Sequence, residues 1–335
     1  MIEVDLRLLT VIGLICLMIS YGFLTSSHFQ EEEARFSHRD LAQHYSTFVN
    51  IDGIDVHVRF DPGNGEKTGL SFVLLHGFAS WVYTWDHVFD ELAEMGSVLA
   101  YDRPGFGLTE KVLPKSLGFN PYTQDYQMKL LTELLDYHSL DSVILMGHSA
   151  GGVVALRYAL EHPERVRALV LIDPAVYIQP PFPEILNRVL TALEVEELGP
   201  RFFAERFIDF ANEGMKLSWY DASKITPERV EKFLLPTRIK NWEIALWKFM
   251  KANLDQRDLE ERLSLLTIPT LIIWGKQDRI VPLEDGKRLL KTLSNATLVT
   301  IDRCGHVPQE EVPHAFLQII KEWIDQLNAR HERIS

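Results

Sequence analysis

Cysteine is nearly missing from this chain of 335 residues. Cys16 lies in an apolar run and Cys304 far downstream, so neither a disulfide framework nor a thiolate metal site can be assembled. Clustered basic residues are missing too. The formal net charge is −13, and a protein that grips a phosphate backbone needs Lys and Arg gathered in one patch, so nucleic acid is excluded as a partner. No internal repeat or low-complexity tract occurs, which excludes solenoids and arrays.

Charge is absent from one long stretch. From Leu8 to Gln30 there is no Asp, Glu, Lys or Arg, and Leu8 to Leu24 (LLTVIGLICLMISYGFL) is almost wholly apolar. As a helix it would measure roughly 25 Å, at the short end of what spans a bilayer. An N-terminal membrane helix is therefore expected, with residues 1–27 as an uncleaved anchor and the protein membrane-associated through it. A cleaved signal peptide is the rival reading, leaving the protein secreted or periplasmic. It is disfavoured because MIEVDLR carries two acids against Arg7, and Thr25-Ser26-Ser27 is the one small-x-small candidate. The flanking charges do not set an orientation.

What remains is 46% hydrophobic overall, ample for a core. TFVNIDGIDVHVRF, with Gly53 between two alternating segments, predicts an antiparallel hairpin. Short unbroken apolar runs then alternate with amphipathic stretches: SFVLLHG, SVLAYD, SVILMG and ALVLID are separated by WDHVFDELAEMG, DYQMKLLTELLDYH and VVALRYALEH. Strand, helix, strand in this order predicts an α/β fold, a mostly parallel, doubly wound sheet. The rhythm stops after Pro174, gives way to helical stripes such as Trp242, Ala245, Leu246, Phe249 and Met250, and returns at IPTLIIWG. The expected organisation is a core in two parts, residues 45–174 and 263–330, interrupted by an inserted helical cap over 175–262.

The run VILMGHSAGG carries the chemistry. A buried strand enters it and a helix leaves it, so a sharp turn can hold Ser149 with its hydroxyl exposed above the sheet. Gly147 and Gly151 are expected where side chains would collide across the turn, and the Ala150 N–H begins the helix without an intrahelical acceptor. A serine hydroxyl needs a base, and the base a carboxylate. His306, in a glycine-flanked loop after LVTID, is the expected base, ahead of His76, His148, His162 and His314. Asp278, after LIIWG, is the expected acid, with Asp173 at another strand end as the alternative. In LLHGFASW, Gly77 lets the loop turn so that the Phe78 N–H joins that of Ala150 as a two-donor oxyanion hole. His76 is expected to brace that loop, and Asp102 and Arg103 in YDRPGFG to form a structural pair. Neither a metal nor an organic cofactor is called for.

Taken together, HGF, YDRPGFG, GHSAGG, WGKQDRIVP and CGHVPQEE in this order resemble the α/β-hydrolase superfamily, in the branch with a helical cap after the sixth strand. The resemblance covers roughly residues 45–328. It implies a triad of Ser149, His306 and Asp278 with Phe78 and Ala150 as backbone oxyanion donors. Haloalkane dehalogenases and epoxide hydrolases of that superfamily place Asp at this turn, so Ser149 disfavours both reactions.

The cap is rich in large apolar residues: Phe182, Phe202, Phe203, Phe207, Phe210, Trp219, Phe233, Trp242, Trp247 and Phe249. An aromatic cover next to an apparent anchor leads to the expectation of an esterase or monoacylglycerol-type lipase. Its partner would be a small-molecule ester or lipid substrate with an apolar acyl group. A carbon-carbon bond hydrolase, perhydrolase or amidase is the alternative, and a non-catalytic ligand-binding member of the fold a third reading.

Overall fold

The computed structural model describes residues 36–177, 198–253 and 257–331. The expected anchor over residues 1–27 lies outside them. Among the described residues no helix is long and apolar enough to cross a membrane. Phe182 and the first part of the cap also lie outside them.

Eight strands form one sheet: β1 (Thr47–Ile51), β2 (Ile54–Asp61), β3 (Ser71–Leu75), β4 (Ser97–Tyr101), β5 (Val143–His148), β6 (Val166–Ile172), β7 (Thr270–Gly275) and β8 (Ala296–Ile301). Their spatial order is β1-β2-β4-β3-β5-β6-β7-β8. The β1–β2 and β2–β4 pairs are antiparallel and all others parallel. The hairpin is as its alternation predicts, turning at Asp52-Gly53 with Ile51 opposite Ile54. Winding reverses between β3 and β5: from β3 the chain moves outward to β4, then returns to the other side. Loops leaving the carboxyl ends of β3 and β5 therefore diverge, which opens the crevice where such sheets bind ligands.

Alternation along each strand feeds two cores. Val73 and Leu75 of β3 face one side with α2 (Gln124–Tyr137), α3 (Ala150–Glu161) and α7 (Leu283–Thr292), through Leu131, Leu134, Leu156 and Leu289. Phe72 and Leu74 face the other with α1 (Phe89–Ala93) and α8 (Pro313–His331), through Phe89, Leu92, Phe316 and Ile320. Each such side chain, fully buried, contributes about 1.5–3 kcal/mol. Between β6 and β7 the longest described cap helices are α4 (Leu198–Ser218), α5 (Pro227–Leu234) and α6 (Trp242–Ala252), followed by a short helix over Arg257–Arg262. The stripe on α6 packs as its spacing predicts: Ala245, Leu246 and Phe249 are buried against Phe207 and Ala211 of α4 and against Phe106 and Tyr122 of the sheet's loops. WDHVFDELAEMG is not one helix. A 3-10 turn over Val82–Trp85 precedes α1, and Arg59 reaches across to both Asp86 and Asp90.

Asp102 and Arg103 are not paired with each other, contrary to expectation. Asp102 is fully buried and accepts from His57 Nδ1 at 2.7 Å and from the backbone N–H groups of Val82 and Leu108, each at 2.7 Å. Ser46 Oγ lies 2.6 Å from the other His57 nitrogen, tying the start of β1 to the carboxyl end of β4. Burial opposes the charge, but His57 and the backbone donors hold the Asp102 carboxyl below its usual range. Arg103 instead donates to Gln127 and to the carbonyls of His76 and Gly77. Asp102→Ala is expected to leave three buried donors unpaired and to lower unfolding free energy by about 3–5 kcal/mol. An unchanged urea midpoint would show that this clamp carries no stability.

Candidate active site

Ser149 stands between β5 and α3 with φ +52° and ψ −119°, a conformation that L-residues rarely adopt. Three backbone bonds hold it there. Its N–H donates to Ile172 O at 2.9 Å, and its carbonyl accepts from Gly152 N at 2.9 Å and Ala175 N at 3.1 Å. The flanking glycines are required by close approach. A Cβ at Gly151 would sit 2.1 Å from Leu75 O, and one at Gly147 2.6 Å from Gly151 O. With both sites bare, α3 closes directly onto β3 and β5.

The loop after β3 lies beside the serine. A Cβ at Gly77 would crowd the His148 ring at 3.0 Å and Ser149 Cβ at 3.2 Å, and Phe78 and Ser149 line one cavity. Among the described residues neither the Phe78 nor the Ala150 N–H donates to a backbone carbonyl. His76 braces this loop: Nδ1 lies 2.8 Å from Gly77 O and Nε2 accepts from Arg103 N at 3.1 Å. Burial and the Arg103 charge push its imidazole down to about 3, so it stays neutral.

His306 and Asp278 meet at the same sheet edge. His306 Nδ1 is 2.6 Å from Asp278 Oδ2, and Asp278 Oδ1 accepts from the N–H groups of Ile280 and Val281 at 2.7 and 3.0 Å. Asp278 rather than Asp173 therefore holds the ring. The His306 loop is fixed from three sides. Its N–H donates to Ser218 O at the end of α4, its carbonyl lies 2.7 Å from His148 Nε2, and Gly305 N donates to Glu311 at 2.8 Å. Burial, then the neighbouring His306 ring, hold His148 well below its usual range, so it too is neutral. His162 caps the end of α3 and His314 lies in the first turn of α8, both away from Ser149.

Ser149 and His306 open into a cavity of about 190 Å³, below the roughly 300–1,000 Å³ usual for drug-sized ligands. Much of its wall is apolar, but Arg229 of α5 and Glu310 form a buried ion pair in it, and Arg229 also contacts His87. Thr84 donates to Glu310 at 2.5 Å. Sequence reasoning did not find this polar end, because PER at the start of a helix reads as exposed first-turn charge. Glu311 was also missed; its carboxylate accepts from Tyr220, Asp221 and Gly305 N–H and fastens the cap to the His306 loop. A hydroxyl and an imidazole on one cavity, with a carboxylate behind the imidazole and the Phe78 and Ala150 N–H groups in the adjoining loops, form a set that can attack a carbonyl carbon and hold its oxyanion.

A family model described as alpha/beta hydrolase fold matches residues 71–313. An uncharacterized hydrolase of Bacillus subtilis (strain 168), YugF, is 30% identical over 279 residues, covering 82% of this chain and 96% of that protein. The 2-hydroxy-6-oxononadienedioate/2-hydroxy-6-oxononatrienedioate hydrolase of Burkholderia vietnamiensis (strain G4 / LMG 22486) is 30% identical over 298 residues, covering 83% and 95%. Of solved structures, the 2-hydroxy-6-oxo-6-phenylhexa-2,4-dienoate hydrolase of Rhodococcus sp. strain RHA1 has a TM-score of 0.61 at 26% identity, covering 83% and 96%.

These names overturn the expectation of an esterase or monoacylglycerol-type lipase. The substrates they print contain no ester, and their hydrolysis must break a carbon-carbon bond. The physical reason lies in the cap. Of its aromatic residues Phe207, Trp219 and Phe233 line the cavity, whereas Trp242 and Phe249 pack the cap onto Phe106 and Tyr122. Aromatic content therefore measured packing more than the substrate. The strain at Ser149 gives a prediction independent of substrate: Ser149→Gly should be more stable than Ser149→Ala by about 1 kcal/mol, since only glycine relaxes there. Equal midpoints in chemical denaturation would show that the turn stores no strain.

Proposed function

Since this chain belongs to the α/β-hydrolase family, we propose that it is a serine hydrolase cleaving a carbon-carbon bond beside a ketone. Ser149 is the nucleophile, His306 the base and then the acid, Asp278 the orienting carboxylate, and Phe78 and Ala150 the oxyanion donors. The observation that carries the reading is the pairing of a serine nucleophile turn with relatives 30% identical over 83% of the chain, named as hydrolases of 2-hydroxy-6-oxo acids.

The chemistry runs in two halves. His306 takes the proton of Ser149 as its oxygen adds to the ketone carbon, and the oxyanion settles between the two N–H groups. Collapse restores the carbonyl and breaks the adjacent carbon-carbon bond. A bare carbanion is too poor a leaving group, so the electron pair must enter a conjugated system. A 2-hydroxy-2,4-diene joined to a 6-oxo group, as in the substrate that names the Rhodococcus protein, supplies one once it has ketonised: the 2-hydroxyl proton is lost and C5 gains a proton, giving a 2-oxo-3-ene with a tetrahedral C5. Cleavage of the C5–C6 bond then delivers the electron pair through C3 and C4 to the 2-oxo oxygen, and His306 returns its proton to the resulting dienolate. Water, deprotonated by His306, then attacks the acyl-enzyme and releases a carboxylic acid.

The test is a substrate comparison on the full chain. A conjugated 2-hydroxy-6-oxo-2,4-dienoate, followed by loss of its long-wavelength absorbance, is expected to turn over with higher kcat/KM than p-nitrophenyl esters of any chain length. Ser149→Ala should lower kcat by at least about 10³-fold. Rapid ester cleavage with the dienoate untouched would refute the bond assignment. Failure of a fluorophosphonate to label Ser149 would refute the nucleophile.

A further inference from the structure

Asp173, at the end of β6, has no part in the proposed reaction, yet its setting is unusual. Its carboxyl is fully buried and its backbone has φ +43°, uncommon for a residue other than glycine. Oδ1 accepts from Gly275 N at 3.0 Å. Oδ2 is buried and receives no hydrogen bond. One oxygen of Asp173, one of Asp278 and a ring nitrogen of His306 all lie within 4.8 Å of one another.

Two ionised carboxylates cannot rest side by side here. The donors that face Asp278 are Ile280 N, Val281 N and His306 Nδ1. None is left for Asp173 Oδ2. Ionised, Asp173 would set a second negative charge against Asp278 with nothing to satisfy it. Protonated, it turns the repulsion into a hydrogen bond between carboxyl and carboxylate.

We propose that Asp173 carries a proton at neutral pH and donates it to the Asp278 carboxylate, so that a carboxyl–carboxylate pair, rather than a single acid, orients His306 and sets its basicity. This rests on the reading of Ser149, His306 and Asp278 given above. Asp173 acts through Asp278 and is a positioning residue. Burial, and then the charge of Asp278, push its carboxyl well above the usual carboxylate range. The other titratable group beside it is Cys304, whose thiol is pushed up by burial and by the acids around it, Asp173, Glu311 and Asp278. Cys304 therefore stays neutral and supplies no competing charge. Glu311 is occupied by the backbone donors of Tyr220, Asp221 and Gly305.

Two readouts test the pair. The first is the pH dependence of Ser149 labelling by a fluorophosphonate, which follows deprotonation of His306 without any substrate. Asp173→Asn keeps a neutral donor and should keep the midpoint of the rise. Asp173→Leu removes the donor, concentrates charge on Asp278 and should move the midpoint up by roughly half a unit to one unit. A midpoint that falls in Asp173→Asn would mean that a negative charge had been removed, and would overturn the proposal.

The second readout is stability, which remains valid even if Ser149 labels in no variant and the hydrolase reading fails. A carboxyl kept protonated in the fold but free to ionise in the unfolded chain costs stability as pH rises above about 4. Asparagine removes that cost. The urea midpoint of Asp173→Asn relative to the parent chain should therefore climb between pH 4 and pH 7. A flat difference, or one that falls with pH, would show Asp173 ionised and sink the proposal.

Discussion

The backbone crosses itself without side chains between at Gly147 and Gly151, and the site depends on that close approach. Helix α3 can begin against the carbonyl of Leu75 only because Gly151 has no Cβ. The chain must then reverse within one residue, and Ser149 takes the strained conformation that results. Its neighbours over-determine it through bonds to Ile172, Gly152 and Ala175, which is the condition under which a residue persists in a sparsely populated backbone region. Placed at the reversal of winding between β3 and β5, the turn brings the serine beside the loop that starts at His76.

Around this turn the convergent loops are joined by buried polar groups with little freedom. Neutral His76 joins its own loop to Arg103, and neutral His148 joins the nucleophile turn to the His306 loop. Arg103 closes the loop after β3 from below through the carbonyls of His76 and Gly77. Each of these groups makes at least one hydrogen bond in a medium of low dielectric, where such a bond is strong, although Arg103 Nε and His148 Nδ1 have no partner among the described residues. The geometry at Ser149 is thus set from several strands at once and not by the turn alone.

The cap is fastened where the chemistry occurs. The last carbonyl of α4 accepts from His306 itself, and Glu311 gathers N–H groups from both cap and core. A second tie, Arg229 to Glu310, lies in the cavity wall. Movement of the cap would therefore disturb the His306 loop directly. In the proposed roles, Ser149, His306 and the Phe78 and Ala150 N–H groups call for an electrophilic carbonyl. Which bond leaves is decided by how the cavity stabilises the departing atom, and the cap supplies much of that wall.

Strand periodicity, the glycines around Ser149 and the loops holding Asp278 and His306 were legible in the sequence, because each is a local pattern set by the pleat, a tight turn or a strand end. Asp278 and Asp173 could not be separated that way: both follow buried strands, and only their distances from the imidazole show which holds it. Asp102 found His57 rather than Arg103 because strand pairing, not adjacency along the chain, brings β2 beside β4. The cap misled most, since an aromatic side chain that packs a helix and one that lines a cavity are the same letter. Local patterns determined which residues could react; tertiary packing decided which of them meet, since contacts between distant strands and helices leave no period in the chain.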